Sequence, residues 1–153
     1  MNKESMYIRA SRQRGVTLVE LMTVIVIIAV IASIAVPTYR RYLIRAQRSE
    51  AKIALLQLQT AQEKFYLQNN AYASNTNLST ASPTGLGISN TTETGKYTIA
   101  ITTYGAAGQS YTATATPKSG GGQTDDTACT SYTITDRGTK GATGTSSAQT
   151  CWR

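Results

Sequence analysis

The chain contains no histidine. That removes the commonest general base and the commonest transition-metal ligand. No nucleophile stands beside a base, and no glycine-rich phosphate loop is present, so an enzyme is the least supported class. Cysteine is scarce too: Cys129 and Cys151 are the whole set. An even count in an exported chain reads as one disulfide; the alternative is two free thiols, or half a metal site lacking its other ligands. Acidic residues number 8 against 15 Lys and Arg, for a net charge of +7. Ten of those cations and four of the acids lie in Met1 to Asn69, and five against four in Asn70 to Arg153. A nucleic-acid binder concentrates Lys and Arg on its folded domain. The near-neutral stretch 70–153 therefore argues against nucleic acid as a ligand of the head. Asp125, Asp126 and Asp136 could supply oxygens to Ca²⁺, but without the ordered spacing of a loop site. They read as a solvated acidic turn, and no metal or cofactor is expected.

What the chain does have changes abruptly along its 153 residues, a length that suits one domain. Residues 1–15 are polar and basic, with Lys3, Arg9, Arg12 and Arg14 against Glu4. Val16 to Val36 is then almost wholly apolar. As a helix, at about 1.5 Å per residue, it spans roughly 32 Å, enough for the hydrocarbon core of a bilayer. The basic leader should stay in the cytoplasm, leaving the C-terminal part outside. Pro37 deletes one helical hydrogen bond and should bend the helix rather than end it. Beyond it Ile44, Ala51, Leu55, Leu58, Gln62 and Phe65 recur at helical spacing, a stripe that is apolar except for Gln62. Arg41, Arg45, Arg48 and Lys52 fall on another face. Asn69-Asn70 is a stop signal.

Residues 71–95 read as a long connecting loop rich in Asn, Ser, Thr and Gly. Period-two alternation follows. Tyr97, Ile99 and Ile101 share one face, as do Tyr111, Ala113 and Ala115, and Tyr132 and Ile134. Gly105 to Gly108 fits a hairpin turn, and Pro117 to Gly122 a stop and loop. The fold class is α+β: a long bent N-terminal helix, its second half packed on a small antiparallel sheet of three or four strands. The parts are a leader 1–15, a membrane helix 16–36, an amphipathic half-helix 37–69 and a sheet head 70–153. A Cys129–Cys151 cross-link would close a loop with little apolar content of its own and contribute roughly 3 kcal/mol. Trp152 should pack the chain end on the sheet. Asn77-Leu78-Ser79 and Asn90-Thr91-Thr92 match a glycosylation pattern that is frequent by chance.

The junction Arg14-Gly15-Val16-Thr17-Leu18-Val19-Glu20-Leu21 resembles the cleavage and methylation motif of type IV pilins and pseudopilins. The resemblance implies a cut between Gly15 and Val16 by a prepilin peptidase, methylation of the new N-terminus at Val16, and assembly through Glu20, the fifth residue of the mature chain. Pro37 falls where pilins often carry a helix-bending proline. Val16 departs from the usual Phe, and the leader is longer than in many major pilins. The stretch Cys129…Gly138-Thr139-Lys140-Gly141-Ala142…Cys151-Trp152 is similar to the disulfide loop of PilE-type minor pilins. Partners implied are other pilin subunits, the prepilin peptidase and methyltransferase, and the inner-membrane assembly platform. Twitching motility, adhesion or DNA uptake are the processes served.

Two residues of the junction also argue from physics. A carboxylate in an apolar span costs at least about 2.5 kcal/mol, so it persists mainly for function. For Glu20, pairing with the freed amine of a neighbouring subunit would offset that cost and set the axial register. The alternative is a Glu that snorkels to the interface. At Gly15 a peptidase gains backbone access where no side chain intervenes. Within the family, minor pilin is preferred over major pilin or secretion pseudopilin. Outside it, the competing reading is a secreted soluble domain behind a classical signal peptide, cut after Ser33-Ile34-Ala35.

Overall fold

The computed structural model describes residues 15–153. The basic leader residues Lys3, Arg9, Arg12 and Arg14 lie outside them. The longest element is helix α1, Leu18–Asn69, 52 residues with Pro37 inside it. The chain divides into two compact units, one ending at Tyr39 and the other running Arg40–Arg153. α1 contributes to both.

The part of α1 before Arg40 is apolar all round. Its best window has a mean hydropathy of 2.8, and none of that window is buried. Leu18, Ile25, Ile28, Ile31 and Ile34 are each more than half exposed. The helix is long and apolar enough to cross a membrane. Its threonine and serine hydroxyls are satisfied by the helix itself: Thr23 donates to Glu20 O at 2.8 Å, Ser33 to Val30 O at 2.7 Å and Thr38 to Ile34 O at 2.9 Å. Such back-bonding is what makes hydroxyls tolerable where no water is at hand.

The unit Arg40–Arg153 is a four-stranded antiparallel meander under the second half of α1. The strands are β1 (Tyr97–Tyr104), β2 (Tyr111–Pro117), β3 (Ser131–Thr135) and β4 (Lys140–Thr143), in the order β1-β2-β3-β4. Each pairs with its chain neighbour, so every connection is a local one. The alternation read from sequence decides the faces. Tyr97, Ile99, Tyr111, Ala113, Ala115, Tyr132 and Ile134 are buried, and they form one core with Ala51, Leu55 and Leu58 of α1. The opposite face is clad in threonine, with Thr98 beside Thr116 and Thr114 beside Thr133. A register shift after Ile101 leaves Thr102 unpaired in the ladder. Its hydroxyl meets Thr114 Oγ1 at 2.9 Å instead.

Two regions carry more structure than their composition suggests. The stretch 71–95 buries Ala73, Leu78 and Leu86 in the core and makes a 3₁₀ turn at Asn75–Asn77. The cysteine loop contributes β4 and a short helix α2, Ala148–Trp152. Strand β4 is Lys-Gly-Ala-Thr, with no bulky residue to announce it. Gly141 leaves room for its partner there: a Cβ would come 2.4 Å from Thr133 Oγ1 across the strand pair, and that hydroxyl would have to move.

Candidate assembly and anchoring site

α1 begins where the cleavage motif lies. Leu21 N donates to Thr17 O at 3.1 Å, and Glu20 N to Thr17 Oγ1 at 3.2 Å. Thr17 is thus the N-cap, and Glu20 is the third residue of the helix. Thr-x-x-Glu is the spacing of a capping box, a helix-start signal legible in the sequence. A carboxylate in the first turn also lies at the positive end of the helix dipole. Glu20 is exposed, and Val16 is 72% exposed. Among the described residues Gly15 has no neighbour within 4 Å of where a Cβ would stand.

At the other end of the chain Cys129 and Cys151 are bonded, with Sγ atoms 2.07 Å apart and both residues buried. α2 positions Cys151. Ser147 caps this helix, accepting from Thr150 N at 3.3 Å. Trp152 follows and anchors the chain end: its Nε1 donates to Gly141 O at 2.8 Å, and its ring meets Tyr132 edge-on at 5.9 Å. The Lys140 ammonium lies 5.2 Å above the same ring.

The acidic turn differs from its expected form. Asp126 is 4% exposed, not solvated. Its two oxygens accept from Arg48 Nε and Nη2, each at 2.7 Å, and Oδ1 also accepts from Cys129 N at 3.2 Å. Gln123 joins the cluster, donating to Ile44 O of α1 at 3.1 Å. One carboxylate therefore ties α1, the β2–β3 connection and the disulfide together. The hydrogen bond from Arg48 to Asp126 raises the guanidinium above its ordinary value, against desolvation. Asp125 stays exposed, 3.9 Å from Arg40. Among the described residues no three acidic or thiol side chains converge as a metal site would need.

Gln62, the polar member of the apolar stripe, is fully buried and paired. Its amide donates to Ala73 O and accepts from Ala73 N, both at 2.8 Å. Glu50 holds the same loop further on, accepting from Thr94 N at 2.9 Å and Thr94 Oγ1 at 2.7 Å. Burial acts to raise the Glu50 carboxyl, but the bonds from Thr94 and Thr92 outweigh it and hold it below the ordinary range. The Asn77 side chain is likewise occupied, donating to Thr84 O at 2.9 Å.

An apolar, uncovered helix that continues into the spine of a small antiparallel head defines the class of filament subunits that the junction motif resembles. Two family models match. One, described as a prokaryotic N-terminal methylation motif, covers residues 10–36. The other, described as the type IV minor pilin ComP, DNA uptake sequence receptor, covers residues 37–133. That is more than half of the chain, and the chain belongs to this type IV minor pilin family. Relatives with other roles match part of the chain. The type IV major pilin protein PilA of Myxococcus xanthus is 44% identical over 62 residues, 40% of this chain and 28% of that one. A fimbrial protein of Neisseria meningitidis is 36% identical over 90 residues, 58% and 49% respectively. The type II secretion system core protein G of Pectobacterium carotovorum is 43% identical over 63 residues, 41% and 36%. The matches span at most about half the length of these relatives. The solved structure of the non-core minor pilin PilV from Neisseria meningitidis aligns at a TM-score of 0.48 with 17% identity, over 67% of this chain and 89% of that one.

Proposed function

We propose that this chain is a membrane-inserted precursor that becomes a minor subunit of a type IV pilus. The uncovered half of α1 carries the reading. A run of apolar residues, none of them buried, needs lipid first and neighbouring helices later. A prepilin peptidase cuts between Gly15 and Val16, Val16 is methylated, and the head faces outward. The freed amine of one subunit then pairs with Glu20 of another, through the inner-membrane platform that extrudes the filament. Pro37 bends α1. The leader, the membrane helix 16–36, the half-helix 37–69 and the head 70–153 are then four parts with four tasks. The subunit carries no chemistry of its own. Gly15 supports the cut, since no contact with the described residues calls for glycine there. Mass spectrometry of the mature N-terminus tests it: methylated Val16 is expected, and an unmodified Val36 would mean a cleaved signal peptide instead.

The name of the family favours a second reading, in which the head binds DNA. Counted over the folded unit Arg40–Arg153 rather than from residue 70, eleven cations face six acids, a net +5. The helix half supplies the difference, with Arg40, Arg41, Arg45, Arg48, Lys52 and Lys64. The logarithm of the affinity of residues 38–153 for double-stranded DNA should then fall linearly with the logarithm of salt concentration. Binding that is absent at low salt would end this reading.

A further inference from the structure

One cleft in the folded unit has no part in the core, the disulfide or the assembly residues. It lies between the start of α1 in this unit and the glycine-rich loop after β2. Arg40, Leu43, Ile44 and Gln47 line it on the helix side, and Lys96, Gly121 and Gly122 across from them. Its volume is about 160 Å³. At roughly 30 Å³ per water that is about five waters, well short of the ~300 Å³ at which drug-sized pockets begin.

The walls suit one kind of occupant. Two cations flank the space. Lys96 Nζ is held at the rim by Gly121 O at 2.7 Å. The Arg40 side chain is 69% exposed and its anionic neighbour, Asp125, is 63% exposed at 3.9 Å. An exposed pair of that length contributes little, so the guanidinium can exchange partners at small cost. The far wall is bare backbone by necessity. Gly122 has φ of 76°, and a Cβ on Gly121 would stand 3.3 Å from Lys118 O. Leu43 and Ile44 make the remaining side apolar. Arg40 comes four residues after Val36, the last of the apolar run, and the exposed Arg41 and Arg45 follow.

We propose that this cleft seats the phosphate of an anionic phospholipid, with Arg40 and Lys96 as its cations and Leu43 and Ile44 against the apolar part of the lipid. The proposal rests on the membrane insertion put forward above. A soluble phosphate has no use for the apolar wall, nor for cations placed directly after a membrane run; a lipid headgroup uses both. The bound lipid holds the head at the membrane surface until the subunit is extracted, when Asp125 takes the place of the phosphate beside Arg40.

The test uses the full-length chain in nanodiscs of phosphatidylcholine with a minor fraction of phosphatidylglycerol. Native mass spectrometry counts the phosphatidylglycerol each chain retains. Arg40→Gln with Lys96→Gln should lower retention about tenfold, whereas Arg41→Gln with Arg45→Gln, equal in charge but outside the cleft, should change it less than about twofold. Lys96→Arg should restore retention to Lys96→Gln, and Asp125→Asn should increase it. Circular dichroism and an intact disulfide establish that each variant is folded; Arg40→Gln alone, on an exposed side chain, gives the smaller loss if the double variant is not. Equal losses in the two double variants, or none in the first, overturn the proposal. Displacement of the lipid by millimolar inorganic phosphate overturns the lipid assignment in favour of a soluble anion. Carbonate extraction separates the two levels: a chain released from membranes sinks the insertion reading and this one together, while an inserted chain without retained lipid sinks only this one.

Discussion

The two halves of α1 obey opposite rules, although they form one continuous helix. Before Arg40 every large apolar side chain is exposed, and from Ala51 to Gln62 the helix buries Ala51, Leu55, Leu58 and Gln62 completely. The first half has hydrophobicity without direction; the second has direction with less hydrophobicity. A stripe suits a partner on one side, here a sheet supplied by the same chain. An apolar surface all round suits any surrounding that excludes water. The same contrast separates their polar residues. Thr23 and Ser33 satisfy themselves locally, within four residues. Arg48 and Gln62 find partners 78 and 11 residues away.

If the halves are independent in this way, damage to one should leave the other intact. The largest effect is expected from Glu20→Ala. Incorporation into sheared filaments should be lost, while the melting of the head and insertion into the membrane stay as in the parent. Normal incorporation would break the comparison at its functional end. Next, Arg48→Ala leaves the Asp126 carboxylate buried without its cation and should destabilise the head by about 3 kcal/mol in urea titration. Arg48→Ala with Asp126→Asn should recover part of that loss. A cost below about 0.5 kcal/mol for the single change would mean that Asp126 is reached by water and carries no such role.

Gln62→Leu comes third. It preserves the apolar stripe and leaves Ala73 N and O without partners, at about 2 kcal/mol. If the leucine proves neutral, the stripe alone governs the helix–loop contact. A smaller effect attends pH. Glu50 is held below its ordinary value of 4.5, so its contribution is complete above that pH and is lost as pH falls through the lower, folded value. Glu50→Gln should flatten this acid limb of the stability curve; an unchanged limb would assign it to other carboxyls. At the alkaline end, burial pushes Tyr132 up to about 12 from 10.0, so stability should decline between those values. The smallest change is Tyr111→Phe. Among the described residues the buried Tyr111 hydroxyl has no hydrogen-bond partner, so its removal should be neutral or stabilise by up to about 1 kcal/mol. A loss of more than that would reveal a partner for the hydroxyl.

Much of the head was legible because strands and helices write their faces into local spacing. The alternations at Tyr97, Tyr111 and Tyr132 gave the buried face of three strands, and Asn69-Asn70 the end of α1. Strand β4 was not legible. Its four residues bury little, and it is a strand because β3 and the disulfide bring it there. Asp126 was misjudged for a related reason. Burial of a charge depends on a partner, and nothing local to Thr124-Asp125-Asp126 points to a helix residue 78 positions earlier. The charge balance of the head shifted too. The folded unit starts at Arg40, inside a helix, where sequence offers no boundary.

The sequence by itself determined the apolar run, the junction at Gly15–Val16 with Thr17 and Glu20, the stripe on α1, the strand faces and the cysteine pair. All of these rest on neighbours within a few turns or on composition. The tertiary structure alone decided that Arg48 neutralises Asp126, that Gln62 belongs in the stripe because Ala73 meets it, and that Arg40 and Lys96 share a cleft. Those depend on which distant residues arrive together. A side chain's spacing tells which way it faces, but only the fold tells what it faces.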